Sequence, residues 1–300
     1  MFVVLGATGH TGSVAAKRLL ENGEKVRAVG RDEARLAPLV QLGAEPKVAD
    51  VYNGAALTEA FRGMDGAYLM LPPRVQEPDL LASGDKMSTA ITEAVSASGL
   101  SHVVLLSSVG AQHDQKTGPI VALHRFEEKL RQVANLNAVF LRPAMFMENY
   151  LMLVGLVQSM GFLAGGIKGE MKMPMIAARD IGEKAAELLR ERSFSGISTF
   201  ELLGERDLSH DEVAELIGAG IGKPKLSYQK FPGFLVEQAM KQMGMPGKTA
   251  ALMGEMNEAA NDGLLRPQEA RSERNTTPTK FETFVQEEFV PAYNAKAAKA

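Results

Sequence analysis

The chain contains no cysteine. Disulfides, thiolate nucleophiles and thiolate metal ligands are thereby excluded, and the composition is compatible with a reducing cytoplasm. Nor is there an apolar run long enough to span a bilayer, which argues against membrane insertion. The first strand-like run starts at Phe2, so no signal or transit segment is expected. Positive charge is not in excess: 33 Lys and Arg against 36 Asp and Glu give a net charge of −3, so no general nucleic-acid surface is expected. His, Asp and Glu show no metal-ligand spacing, so no metal site is expected.

What is present is a strongly patterned α/β sequence. Its 300 residues suit a large α/β domain with a smaller attached lobe. Up to residue 150, short apolar runs alternate with amphipathic helical stretches. The runs are Phe2–Leu5, Lys25–Val29, Glu45–Val48, Ala67–Leu71, His102–Leu106 and Ala138–Leu141; the stretches include Ser13–Leu20, Ala56–Phe61, Leu80–Ser98 and Leu123–Val133. Repeated βα units of this length predict a doubly wound parallel sheet over residues 1–150, its strands covered on both faces. Residues 151–300 are expected to build an α+β substrate-side lobe and to return some elements to the main sheet. Gly161–Gly169 reads as loop, Lys172–Ile176, Thr199–Leu203 and Leu226–Gln229 as strands, and Asp180–Glu191 as a helix. Ser209 with Glu212 three residues on is a capping box. Phe231–Leu265 is Met-rich and helical, interrupted at Gly244–Gly247. Together with Gly161–Gly169 it is expected to form a lid, and Met240–Met256 suits either core or a homodimer interface. A last helix is expected near Phe281–Phe289, with a frayed tail at Asn294–Ala300.

The densest chemical signal follows the first strand. Gly6, Ala7, Thr8, Gly9, His10, Thr11 and Gly12 join that strand to a helix. A strand, a glycine turn and a helix N-terminus in this order cradle a pyrophosphate with backbone N–H groups and a partial positive charge. The spacing is GxxGxxG: Gly6 would make the tight turn, Gly9 would admit the phosphate, and Gly12 would let the helix pack on the strand. His10 would touch phosphate or the substrate mouth. Arg31 ends the second strand, where an acidic residue would select NAD. A guanidinium there suits a 2′-phosphate, so NADP(H) is preferred and NAD(H) is the alternative. Asp32 either reaches a hydroxyl or caps the next helix. Asp50 and Val51 would face the adenine, or simply make a turn. Leu71, Pro72 and Pro73 would border the nicotinamide-side ribose, or merely end the fourth strand.

Ser107 and Ser108 end the fifth strand, where many reductases of this architecture carry a serine with a Tyr-x-x-x-Lys downstream. That pair is missing: the residues four after Tyr52, Tyr68, Tyr150, Tyr228 and Tyr293 are Ala56, Pro72, Val154, Pro232 and Ala297. His124, on the following helix, is the candidate proton donor and ribose ligand, with a structural role as the alternative. Pro143 closes the sixth strand on the cofactor side. Val109, Met145, Phe146 and Asn149 suit a flat, mostly apolar ligand, although Met145 and Phe146 would also serve as core.

Taken as a set, GATGHTG at 6–12, VGR at 29–31, AD at 49–50, LLSSVGA at 105–111, HRFEEKL at 124–130, LRPAMFMENY at 141–150 and ARDIGEKAAELL at 178–189 resemble the NmrA-like family of atypical short-chain dehydrogenase/reductases. The resemblance weakens after about residue 205. It implies a Rossmann-type domain with a small C-terminal lobe and a preference for NADP(H). Relatives of this kind are reductases of quinones, dyes or plant phenolics, or non-catalytic cofactor-binding proteins that act on a protein partner. In the phenolic reductases a lysine stands at the position of His124; the histidine here resembles the quinone-reductase branch. The implied activity is NADPH-dependent reduction of a quinone or similar small aromatic acceptor. The alternative is a redox sensor that binds the cofactor without turnover. A sugar-nucleotide epimerase is disfavoured by the missing Tyr-x-x-x-Lys.

Overall fold

A computed structural model of the chain describes residues 1–297. Its first part runs β1 (Phe2–Leu5), α1 (His10–Glu21), β2 (Val26–Gly30), α2 (Glu33–Gln41), β3 (Glu45–Val48), α3 (Gly54–Phe61), β4 (Gly66–Leu69), α4 (Leu80–Ser98), β5 (His102–Leu106), α5 (Ile120–Arg131) and β6 (Asn137–Pro143). There follow β7 (Met145–Phe146), a 3-10 segment (Met147–Leu153), α6 (Val154–Met160), β8 (Leu163–Gly165), β9 (Met173–Ile176), α7 (Ala178–Glu191), β10 (Ile197–Leu202), β11 (Asp207–Leu208) and α8 (His210–Gly220). The chain closes with β12 (Tyr228–Lys230), α9 (Gly233–Gln242), α10 (Gly247–Asn261), α11 (Phe281–Phe284), a π-helical turn (Val285–Phe289) and α12 (Val290–Ala297).

Seven parallel strands form the main sheet in the order β10-β6-β5-β4-β1-β2-β3. The chain winds one way from β1 and the other way from β4, so a crevice opens above their carboxyl ends, where open α/β sheets bind ligands. Alternation along each strand serves both faces. Phe2 and Val4 enter the apolar layer with Ala15 and Leu19 of α1 and Ile181, Ala185 and Leu189 of α7. Val3 and Leu5 enter the opposite layer with Leu57, Met87, Ile91, Phe126 and Leu130 from α3, α4 and α5. β3 departs from the expected two-sided burial. It is the sheet edge, three of its four residues are exposed, and Pro46 is tolerated there because an edge strand leaves one side unpaired.

β10 pairs with β6 from Ile197↔Ala138 to Leu202↔Pro143, so residues beyond 150 complete the main sheet. α7 lies on α1, and Gly182 makes that approach possible: a Cβ there would stand 2.6 Å from the Thr11 carbonyl oxygen. The smaller lobe has β7 parallel to β9, β11 antiparallel to β9, and a parallel β8–β12 pair. Its core includes Met147, Tyr150, Met175, Val213, Phe281, Phe284 and Phe289.

Several local expectations need correction. Gly161–Gly169 is not loop throughout, because β8 pairs with β12 inside it. β4 ends at Leu69, two residues early, because Met70 leaves the ladder to pack on the glycine turn. Residues 294–297 continue the last helix, and 298–300 lie outside the described residues. Among the described residues no helix is long and apolar enough to cross a membrane.

Candidate active site

The glycine turn is built by close contacts and a positive φ that favour glycine. Gly6 has φ +69°, and a Cβ there would meet the Met70 sulfur at 2.7 Å. On Gly12 a Cβ would stand 2.4 Å from the Gly6 carbonyl oxygen, so α1 sits directly against the turn. The Gly9 N–H donates to the Gly6 carbonyl at 2.9 Å, and the Ala7 N–H donates to Val29 at 3.1 Å, tying the turn to β2. The turn leads straight into the N-terminus of a twelve-residue helix, an arrangement of the kind that binds phosphate groups. His10 is exposed as the first residue of α1, and Thr11 is turned inward, accepting from the Tyr68 hydroxyl at 2.8 Å.

At the end of β2, Arg31 is exposed and lies close enough to Asp50 for its charge to act on that carboxylate. Asp32 is the cap of α2, accepting from the Ala34 N–H at 2.9 Å. A second guanidinium reaches the turn: Arg35 Nη2 donates to the Thr8 carbonyl at 3.4 Å. Sequence reasoning missed it, although its place one helical turn after Arg31 was the available signal. Asp50 is engaged within the protein. It accepts from the Tyr52 N–H at 3.0 Å and from Arg74 Nη2 at 3.1 Å, while the Arg74 guanidinium lies 4.6 Å from the centre of the Tyr52 ring. Burial raises its pKa, but the Tyr52 N–H, Arg74 and Arg31 outweigh that and hold the carboxyl below its usual range. Val51 is buried beside it. Leu71, Pro72 and Pro73 open the segment that leads to Arg74.

Beyond the carboxyl ends of β5 and β6 lies a cavity of about 270 Å³. Ser108, Val109, Pro143, Met145, Phe146 and Asn149 all line it, joined by Ile120 of α5 and by Met256, Asn257 and Leu265 from α10 and its end. The cavity brings together six residues picked from two separate segments of sequence. The expected lid also contributes, since Ile167 belongs to its wall. α10 is tied to both sides of the opening. Lys248 pairs with Asp79 at 3.1 Å, Thr249 Oγ1 donates to the Glu77 carbonyl at 3.1 Å, and Asn261 Nδ2 donates to the Gly166 carbonyl at 3.0 Å.

His124 does not line this cavity. It follows Ile120 by one turn on the same face of α5, and its Nδ1 lies 2.9 Å from the Ala111 carbonyl oxygen. That carbonyl can only accept, so Nδ1 carries the proton and Nε2 is left for exchange. Ser107 is directed away from the cavity: its hydroxyl donates to Glu127 Oε1 at 2.5 Å. The same carboxylate takes Arg142 Nε at 2.9 Å and Nη2 at 2.6 Å. All three side chains are buried, so a closed polar knot ties α5 to the ends of β5 and β6. Neither Tyr150 nor Tyr68 can serve as the missing tyrosine acid. Both are buried, and burial pushes their hydroxyl pKa values far up. Among the described residues no group of His, Asp and Glu is placed to hold a metal ion.

Glu148, between the cavity and α7, accepts from the Ala178 N–H at 2.8 Å, and its other carboxylate oxygen is buried without a partner. Burial raises its pKa to about 7, against the opposing Ala178 N–H, with Glu288 and Asp180 adding repulsion. A raised carboxyl pKa favours folding below the unfolded value near 4.5, and that stability is lost as pH rises through 7. Glu148→Gln mimics the protonated form. We expect it to match the wild type near pH 4.5 and to exceed it above pH 7 by on the order of 2 kcal/mol. Urea unfolding across that range checks this; a constant difference at all pH values would refute it.

The parallel sheet, the turn and the crevice define a dinucleotide-binding fold of the Rossmann type. A model of the NmrA-like family matches residues 1–289, and the chain belongs to that family. It is 28% identical to the NAD(P)H azoreductase of Xenophilus azovorans over 85% of this chain and 86% of that protein. The NADPH complex of quinone oxidoreductase QOR2 from Escherichia coli superposes with a TM-score of 0.81 at 22% identity, covering 96% of this chain and all of that one (100%). The triphenylmethane reductase of Citrobacter sp. in complex with NADP(H) gives 0.80 at 18% identity, covering 96% and 99%. At such identities the two structural likenesses speak for the fold.

Proposed function

We propose that this protein is an NADPH-dependent reductase whose acceptor is a quinone or a similar small aromatic electrophile. The observation that carries this reading is the apolar cavity beyond β5 and β6, on the same crevice as the glycine turn and walled by Met145, Phe146 and Val109. The azoreductase relative supports the cofactor and the reaction type, and the cofactor-bound structural relatives support the fold that would hold the cofactor.

Gly6 to Gly12 would hold the pyrophosphate through backbone N–H groups, and Arg31 with Arg35 would face the 2′-phosphate. When bound, NADPH supplies a hydride equivalent to the acceptor. Met145 and Phe146 hold a flat ring by apolar contact, and Asn149 offers an amide to a ring substituent. α10 covers the opening and keeps water from the apolar wall. His124 holds its Nδ1 proton against Ala111, so Nε2 is the ring nitrogen through which a proton would pass toward the acceptor oxygen, by way of water. Quinone reduction makes little demand on acid strength, which suits a site without a tyrosine–lysine pair.

Purified protein is expected to oxidise NADPH with at least one member of a panel of benzo- and naphthoquinones, well above the uncatalysed rate. If no acceptor is turned over while NADPH and NADP+ bind with different affinities, the redox-sensor reading replaces this one, because a ligand shifts a state only through differential affinity.

A further inference from the structure

The apolar cavity has a neighbour across part of its wall. Met173, Pro174, Ala260 and Leu265 also line a second cavity of about 300 Å³, so the two share a boundary. Their chemistry differs. The first is mainly apolar, with Ser108, Asn149 and Asn257 as its polar side chains, whereas Lys172, Arg266 and Arg271 stand around the second, with Asp207 and Glu269 as its carboxylates.

The three cations are not equally available. Arg271 is held by Asp207 and by the Gly204 carbonyl. Lys172 pairs with Glu212 at 3.0 Å, but the lysine is largely exposed, so that pair is weak and easily exchanged. Arg266 has no ion pair and no hydrogen-bond partner among the described residues. Its guanidinium is nonetheless placed. It lies across Gly263, where a Cβ would stand 3.0 Å from its Nε, and Gly263 has φ +79° at the end of α10. The segment after it is fixed as well, since the Gln268 and Glu269 N–H groups donate to the Glu201 carboxylate at 3.0 and 2.8 Å. A mainly apolar cavity thus stands beside an exposed guanidinium that makes no ion pair among the described residues. Glu269 makes no ion pair among the described residues; with Glu212 on Lys172 and Asp207 on Arg271, the lining charges left unpaired are Arg266 and Glu269.

We propose that the acceptor site is bipartite: the apolar cavity takes the reducible aromatic ring, and the adjoining annex takes an acidic substituent of the same molecule, a carboxylate or sulfonate, paired by Arg266 with Lys172 at the rim. This rests on the reductase reading and narrows its substrate class to anionic aromatic acceptors. Arg266 is a specificity-determining residue; it takes no part in proton or electron transfer.

The test compares wild type, Arg266→Met and Arg266→Lys with 1,4-naphthoquinone and its 2-sulfonate. Each variant is referred to wild type on the same acceptor, which cancels intrinsic reactivity. We expect Arg266→Met to lose about ten-fold in kcat/KM on the sulfonate and less than about two-fold on the neutral quinone. Arg266→Lys should recover part of the loss, and salt should shrink the difference. Equal losses on both acceptors, or none on either, would overturn the bipartite site while leaving the reductase reading intact. Calorimetry with redox-inert 2-naphthalenesulfonate gives a readout without turnover: about ten-fold weaker binding to Arg266→Met supports the annex even if no quinone is reduced. Unchanged affinity, or no binding to wild type, refutes it.

Discussion

Gly12→Ala is expected to remove high-affinity NADPH binding while leaving the sheet folded. The added methyl would stand 2.4 Å from the Gly6 carbonyl oxygen and 2.9 Å from its carbon, both backbone atoms. No rotamer relieves such a contact, so α1 must move away from the turn or the turn must open. Overpacking of this kind costs about 1–3 kcal/mol of stability. The effect on the cofactor should be larger in proportion, because the pyrophosphate depends on the turn and the helix end together. We expect NADPH affinity to fall about a hundred-fold, or about 2.7 kcal/mol. Fluorescence titration of NADPH reads this directly, and circular dichroism melting shows whether the fold persists. A folded variant that binds NADPH as the wild type does would displace the cofactor from this turn altogether.

Glu127→Ala should produce the largest loss of stability of any single change proposed for this chain. Arg142 would be left buried without its carboxylate partner, and Ser107 would lose its acceptor. Breaking one side of a buried ion pair typically costs about 3–5 kcal/mol, because the surviving charge stays desolvated. The double variant Glu127→Leu with Arg142→Met removes both charges and should recover most of that loss. Urea denaturation of the three proteins separates the two effects. If Glu127→Ala loses less than about 1 kcal/mol, then Arg142 is being rescued, with Gln268, 3.4 Å from its Nη1, as the available partner. Because α5 carries His124 one turn before Glu127, activity should fall along with stability in the single variant.

The parts of this molecule that were legible in the sequence are those in which a short segment dictates its own geometry. Phe2–Leu5 with the glycine turn is one, since the positive φ at Gly6 and the contact of Gly12 with the Gly6 carbonyl are local. The apolar strands β1, β5 and β6 are another, because two-sided burial leaves an uninterrupted hydrophobic run. Asp32 was readable as a helix cap, but its competing role at a ribose could be weighed only when the Ala34 bond was seen. What escaped notice depended on distant partners. Ser107 looks like a site residue until Glu127, twenty positions later, is found to hold its hydroxyl. Arg74 acquires meaning only beside Asp50 and Tyr52. β7, β8 and β11 are two or three residues long, too short for any periodicity to show. His124 lay at the limit of such reading: its helix was evident, but its distance from the cavity wall was not.

The position of β10 has a consequence for engineering. A strand drawn from beyond residue 150 finishes the sheet, and α7 seals the layer that also buries Phe2, Val4, Ala15 and Leu19. Acceptor preference therefore cannot be transplanted by exchanging residues 151–300 between relatives as a cassette. Every such chimera would cut across an interior that both segments furnish, and would have to be repaired inside the nucleotide-binding scaffold itself.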